Sequence, residues 1–395
     1  MSSYEPERAE AGRSARGYDS LVTLLTVNSG STSVKLGLYE PGPAGAPLRL
    51  GGEQHTGHGL DPSAILRALA ERLRPAPEAI AHRIVHGGTR FVRPTRIDAE
   101  VITAIGELSP LAPLHNPQAL RWVAAARDLW GIGTPQVAVF DTAFFAHLPR
   151  VASEYALPAR IGVERGVRRY GFHGLAHESM WRKWCALYPE LPQGGRLITL
   201  QLGGGCSIAA VDQGRPLDTS MGFSPLEGLV MATRTGDLDA AIVPYLEREL
   251  ALTGDQVIEL LNNTCGLAGV SGTEASPAAL LSDPSPASQF AVELYCYRIR
   301  KYLGAYMAVL GGCDGIVFGG GVGEHVPGVR AGALAGLAWA GVALDPVLNE
   351  AARGADSRIG AAHATVRVHV IGSDEESVLV RAAAETREAA RTDMG

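Results

Sequence analysis

The run Leu200-Gln-Leu-Gly-Gly-Gly-Cys-Ser207, followed by Asp218-Thr-Ser-Met-Gly-Phe-Ser-Pro-Leu-Glu-Gly228 and Arg234, decides how this chain is read. It spells a strand, a glycine turn and a second strand, then a loop that delivers one arginine. Lacking Cβ atoms, a glycine turn lets backbone N–H groups close on phosphate oxygens. An arginine nearby supplies fixed charge for a phosphoryl group in transfer. Val27-Asn-Ser-Gly-Ser-Thr-Ser33 is a near copy of the turn upstream. Two phosphate-type hairpins in one chain point to a duplicated α/β fold that handles a phosphoryl group.

Working outward, the strand at 22–27 resumes at 34–39, whose alternation supports a hairpin arm. Helices are expected over 61–73, 99–108 and 118–130, and strands over 79–85 and 136–140, the latter ending at Asp141. The second half repeats the plan, with strands at 197–202, 207–212, 315–318 and 366–371. Its helices are expected near 240–250, 254–262, 287–310, 329–340 and 374–390. Matching hairpins in two runs of alternating strands and helices describe two related lobes with a ligand cleft between them. The expected division is a flexible tail over 1–20, a first lobe over 21–149 and a second over 150–376. A helix over 377–395 is expected to pack back on the first lobe.

The chain has 395 residues, enough for two cores, and its 46% hydrophobic content with 48 Gly suits a packed α/β protein. A net charge of −6 argues against nucleic acid as the main ligand. Five scattered cysteines without a C-x-x-C pair fit a reducing cytoplasm. No apolar run approaches the roughly 18 residues of a membrane span. Residues 1–20 lack the apolar core of a signal peptide, so nothing here suggests export.

Several blocks now become recognisable: Val27-Asn-Ser-Gly-Ser-Thr-Ser-Val-Lys35, His82-Arg-Ile-Val-His-Gly-Gly88, Leu111-Ala-Pro-Leu-His-Asn-Pro117 and Val139-Phe-Asp-Thr-Ala-Phe144. Arg169-Tyr-Gly-Phe-His-Gly174, the 218–239 block and Phe318-Gly-Gly-Gly-Val-Gly-Glu324 complete the set. In this order they resemble the acetate kinase family from about residue 22 to 381. The resemblance implies two duplicated actin-like, ribonuclease H-like lobes with an active-site cleft between them, and a homodimer. It also implies reversible Mg2+-dependent phosphoryl transfer between ATP and acetate, giving acetyl phosphate and ADP.

By the same resemblance, Arg83, Asp141, His173 and Arg234 are the catalytic candidates. Moving a phosphoryl group onto a carboxylate brings anion against anion, so two arginines suit the charge problem. His173 would donate a hydrogen bond to the group in transit, and Asp141 would orient an arginine. Glu375 matches the family's Mg2+ ligand, and Asn28 lies at the metal or its water. The small acceptor pocket maps onto Val85, Leu114, Phe172 and Pro225, beside Arg83. Ser31, Ser33 and Lys35 of the first hairpin, and Gly203, Gly204, Gly205 and Ser207 of the second, would face the donor phosphates. Gly320, Gly321, Val322 and Gly323 would complete that side. For His115 and His177, a site role and an ordinary core role stand equally open.

Departures from the family pattern cluster on the donor. The second hairpin usually reads His-Leu-Gly-Asn-Gly-Ser-Ser, but here Gln201 and Gly204 replace the His and the Asn. After Val270-Ser-Gly272 the family's Asp-x-Arg element is replaced by residues 273–279, and Gly-Glu-Asn becomes Gly323-Glu-His325. Gly319-Gly320 stands in place of Thr-Ala. Three readings follow: ATP gripped by backbone and Mg2+, another donor such as pyrophosphate, or a silent ligand-binding relative. One methylene is worth only about 1–3 kcal/mol in such a pocket, which leaves propionate open as an acceptor.

Overall fold

A computed structural model of the chain describes residues 23–30, 33–40, 48–57, 59–73, 76–273, 275–354 and 356–392. The tail expected over 1–20, and Ser31, lie outside the described residues.

The first hairpin forms as β1 (Leu24–Ser29) and β2 (Ser33–Glu40), and the chain adds β3 (Leu48–Thr56) antiparallel to β2. Every residue of β1 is buried, the burial expected of a strand covered on both faces. β4 (Ala79–Ile84) runs parallel to β1, and β6 (Gln136–Phe140) parallel to β4. The two-residue β5 (Thr95–Arg96) closes the sheet antiparallel to β6, giving the order β3-β2-β1-β4-β6-β5.

The second sheet repeats this strand for strand. β7 (Arg196–Leu202), β8 (Cys206–Asp212) and β9 (Arg215–Thr219) form the antiparallel arm. β10 (Gly315–Gly319) pairs parallel with β7, and β12 (Arg367–Val370) parallel with β10. The two-residue β11 (Ser357–Arg358) again lies antiparallel on the last strand. The order is β9-β8-β7-β10-β12-β11, so even the minor edge strand is duplicated.

Helices cover both sheets. Pro286–Leu310 lays Tyr295, Ile299, Leu303 and Tyr306 into the core under β7, β8 and β10. Glu375–Thr392 crosses the first sheet, packing Val378, Leu379, Ala382 and Ala383 against Leu24, Ala79, Ala81 and Val139. That return carries Glu375 to the C-terminal ends of β1 and β4, where an open α/β sheet presents its ligand crevice.

Several elements differ from expectation. β3, β9 and the helix Gly174–Leu187 are additional. The helix expected over 329–340 is Pro327–Leu334, ending before Gly336 at φ 80°, with a separate short turn at Ala338–Ala340. No helix among the described residues is long and apolar enough to cross a membrane.

Candidate active site

The site is assembled where β1, β4 and β6 end. Asp141 follows β6 and is tied to β4 through its N–H to the Ile84 carbonyl at 3.0 Å. Arg83 meets it in a two-point fork, Nε to Oδ1 at 2.8 Å and Nη2 to Oδ2 at 2.7 Å. Arg83 Nη1 donates to Asn28 Oδ1 at 3.1 Å and to Glu375 Oε2 at 3.2 Å. Asn28 Nδ2 donates to the same Glu375 oxygen at 2.7 Å. Nε–H, one Nη2–H and both Nη1–H of Arg83 are therefore committed, leaving a single Nη2–H for a ligand. Burial works against the charge on Arg83, but Asp141 and Glu375 outweigh it and hold its pKa above the ordinary guanidinium value.

Arg234 is the opposite case. Its Nη1 donates to the Pro225 carbonyl at 3.1 Å and lies 3.8 Å from Met231 Sδ, with no carboxylate partner among the described residues. Burial pulls its pKa below the ordinary value. A largely buried guanidinium without an anion is costly unless a ligand supplies one.

His173 feels the charge of both arginines. Its backbone is left-handed (φ 58°), an unusual state for a non-glycine residue and the kind that collects at functional sites. The next residue must be glycine: a Cβ on Gly174 would lie 2.0 Å from the Asp141 carbonyl oxygen. A Cβ on Gly205 would lie 3.4 Å from His173 Nε2 and 3.6 Å from Arg234 Nη1, so the glycine turn opens onto both groups. Burial, then Arg83 and Arg234, pushes His173 down to about 4, which keeps it neutral at pH 7. His115 feels Arg83, Arg234, Asp141 and His173, and burial above all pushes it down to about 4. The sequence left His115 open; the structure places it in this cluster.

The acceptor candidates divide. Val85 and Phe172 are buried together in the second-lobe core, and Pro225 contributes the carbonyl that holds Arg234. Leu114 is 68% exposed and does not join the apolar wall.

On the donor side a cleft of about 850 Å³ is lined by Asn28, Lys35, Gln201, Gly320, Gly321 and Glu375, among others. Five donor-side expectations need correction. Ser207 Oγ is fully buried, 2.9 Å from His173 Nδ1 and 2.8 Å from His177 Nε2, so its hydroxyl serves histidines rather than phosphate. Gly320 N–H is taken by Glu324 Oε1 at 2.9 Å. Val322 packs on the core, and the Gly323 carbonyl is held by the buried Arg330 at 2.8 Å. Gly203 N–H is taken by the Gly205 carbonyl at 3.0 Å, which closes the turn on itself. Gly204 and Gly321 face empty space at their Cβ positions, and Ser33 stands at the start of β2 where the hairpin turn closes.

Arg83, Asp141 and Glu375 together carry one net negative charge, and Glu375 Oε1 has no partner among the described residues. No group of three His, Cys, Asp or Glu side chains able to hold a metal occurs among the described residues. One free carboxylate oxygen beside the Asn28 amide fits Mg2+ that arrives on a polyphosphate with its own waters, the usual habit of this ion.

Comparison with known proteins bears on the family and the fold. The model of the acetokinase family matches residues 63–381. An acetate kinase of Solibacter usitatus is 43% identical over 77% of this chain and 74% of its own length. One of Streptomyces griseus is 40% identical over 89% and 93%. The crystal structure of Porphyromonas gingivalis acetate kinase superimposes with a TM-score of 0.83 at 34% identity, covering 92% of this chain and 99% of that one. With its duplicated lobes and its arginine-rich cleft, this chain belongs to the acetokinase family.

Proposed function

We propose that the cleft transfers a phosphoryl group reversibly between ATP and acetate. An acetate oxygen attacks the γ-phosphorus, the new P–O bond forms as the bond to the bridging oxygen breaks, and that electron pair leaves on ADP. The acceptor is already an anion at pH 7, so no general base is needed. This suits a site whose histidine is neutral and whose aspartate is occupied by an arginine. The carrying observation is Arg234, a half-buried cation with no carboxylate partner among the described residues, placed with His173 around Gly205.

In this reading Arg234 takes the equatorial phosphoryl oxygens and His173 Nε2–H donates to the same group. Arg83 contributes its remaining N–H to the acetate carboxylate while Asp141 keeps the fork rigid. Val85 and Phe172 form the methyl wall, with Pro225 beside them. Lys35, Gly204 and Gly321 face the donor phosphates. Glu375 and Asn28 would hold Mg2+, which when bound neutralises charge on the donor phosphates. The lobes 21–149, with 377–395, and 150–376 are the bodies that close to exclude water from the acyl phosphate. The family resemblance adds a homodimer and a cytoplasmic setting.

The test traps acetyl phosphate as its hydroxamate. Purified protein with acetate, ATP and Mg2+ should form hydroxamate that disappears when acetate or Mg2+ is withheld. No product in that direction, and no ATP from acetyl phosphate and ADP, would overturn the reading.

A further inference from the structure

A chain of four side chains leads from His173 into the interior. His173 Nδ1 lies 2.9 Å from Ser207 Oγ, Ser207 Oγ lies 2.8 Å from His177 Nε2, and His177 Nδ1 lies 2.7 Å from Thr199 Oγ1. Ser207, His177 and Thr199 are all fully buried. His173 precedes the helix Gly174–Leu187 and His177 sits one turn later, so both rings face β7 and β8. Phe145 walls His177 edge-on, with ring centres 5.7 Å apart.

A neutral imidazole has one N–H and one lone-pair nitrogen, and a hydroxyl has one O–H. Burial holds His177 neutral, at about 3, so the chain has two self-consistent directions only. In the first, Thr199 donates to His177 Nδ1, His177 Nε2–H donates to Ser207, and Ser207 donates to His173 Nδ1. In the second every donor reverses, and the Thr199 hydroxyl proton needs an acceptor elsewhere. Thr199 Oγ1 has no other partner among the described residues. An orphaned buried donor is disfavoured far more than an unused acceptor lone pair, which selects the first direction. The last proton in that direction is on His173 Nε2, the nitrogen beside Gly205 and Arg234.

We propose that Thr199, His177 and Ser207 are positioning residues that fix His173 as the tautomer with its proton on Nε2, aimed at the cleft. What that proton is for rests on the phosphoryl-transfer reading above; the tautomer does not. The relay turns a geometric feature of the second lobe into a donor of fixed direction. A lone pair at the same place would repel phosphoryl oxygens.

The test uses the full chain labelled with 15N-histidine. Long-range proton–nitrogen spectra at pH 7 report each ring's tautomer, with His173 and His177 assigned from His173→Gln and His177→Gln. The expected result is Nε2–H in both rings. Thr199→Val removes the terminal donor, so both rings should lose the single tautomer. kcat should fall about 10- to 100-fold, with the KM for ATP changed less than about threefold, and Thr199→Ser should restore both signals and rate. A wild-type His173 protonated on Nδ1 overturns the proposal, as does a Thr199→Val protein that keeps both tautomers and full kcat. The wild-type spectrum decides the point even if a variant does not fold. Expected tautomers in a protein that forms no acyl phosphate would sink the transfer reading and leave the relay standing.

Discussion

The two arginines face opposite energetic consequences when their charge is removed. Arg83→Met and Arg234→Met keep most of the aliphatic stem and delete only the guanidinium. Removing Arg83 strands Asp141, whose side chain is 2% exposed, and Glu375 at 19%. Breaking a buried pair by deleting one partner costs about 3–5 kcal/mol, because the other charge stays buried and unpaired. At about 2 °C per kcal/mol for a chain of this size, Arg83→Met should melt about 6–10 °C below wild type. Removing Arg234 costs one hydrogen bond to the Pro225 carbonyl, about 1 kcal/mol, and relieves a half-buried cation with no carboxylate partner among the described residues. Its melting temperature should stay within about 2 °C of wild type. Both variants should lose at least about 100-fold in hydroxamate formation, the scale of one lost transition-state donor. Thermal melts without ligands and the hydroxamate assay at 25 °C give both numbers. An Arg234→Met protein destabilised as much as Arg83→Met would refute the assignment of paired and unpaired roles. So would more than a tenth of wild-type activity in either variant.

Three further outcomes follow from the same geometry. Gly205→Ala places a methyl 3.3 Å from His173 Cε1 while Gly204→Ala meets nothing within 4 Å; the first should lose about 10- to 100-fold in kcat and the second should stay near wild type, and equal rates would contradict the placement of the phosphoryl site. Gly204→Asn fits the same open space and adds a side-chain amide toward the donor phosphates, so the KM for ATP should fall at unchanged melting temperature; an unchanged KM would place the donor elsewhere. His82 is fully buried, and burial pushes it down to about 4 from an ordinary 6.5. Between those values the unfolded chain binds more protons, so stability falls as pH drops through 6.5 and levels off near 4. Denaturant titrations at pH 7 and pH 5 should therefore show a loss about 2 kcal/mol smaller in His82→Phe than in wild type; equal losses would show that His82 does not titrate this way.

Local pattern carried much of the fold. The alternation of Val34-Lys-Leu-Gly-Leu-Tyr39 and the glycine turns at 30 and 203–205 marked both hairpins, and their repetition marked the duplication. β3 escaped because Gly51 and Gly52 interrupt a polar, half-exposed strand whose stability comes from pairing with β2. The helix Gly174–Leu187 was hidden by a motif read for its chemistry, although His173 and His177 already had helical spacing.

The chain by itself determined which groups are available: two arginines, a histidine after a glycine-rich turn, and carboxylates at Asp141 and Glu375. Their division of labour was settled only by tertiary structure. Glu375 reaches Arg83 across 292 positions because an amphipathic helix returns over the first sheet. Ser207 turns from a phosphate ligand into a bridge between histidines, and Gly320 gives its N–H to Glu324, through contacts that neighbouring residues do not encode. Residue type sets how many hydrogen bonds and charges a group can offer. Which partner takes them depends on what long-range packing brings within 3 Å, and in this cleft that packing engages Arg83 and leaves Arg234 without a carboxylate among the described residues.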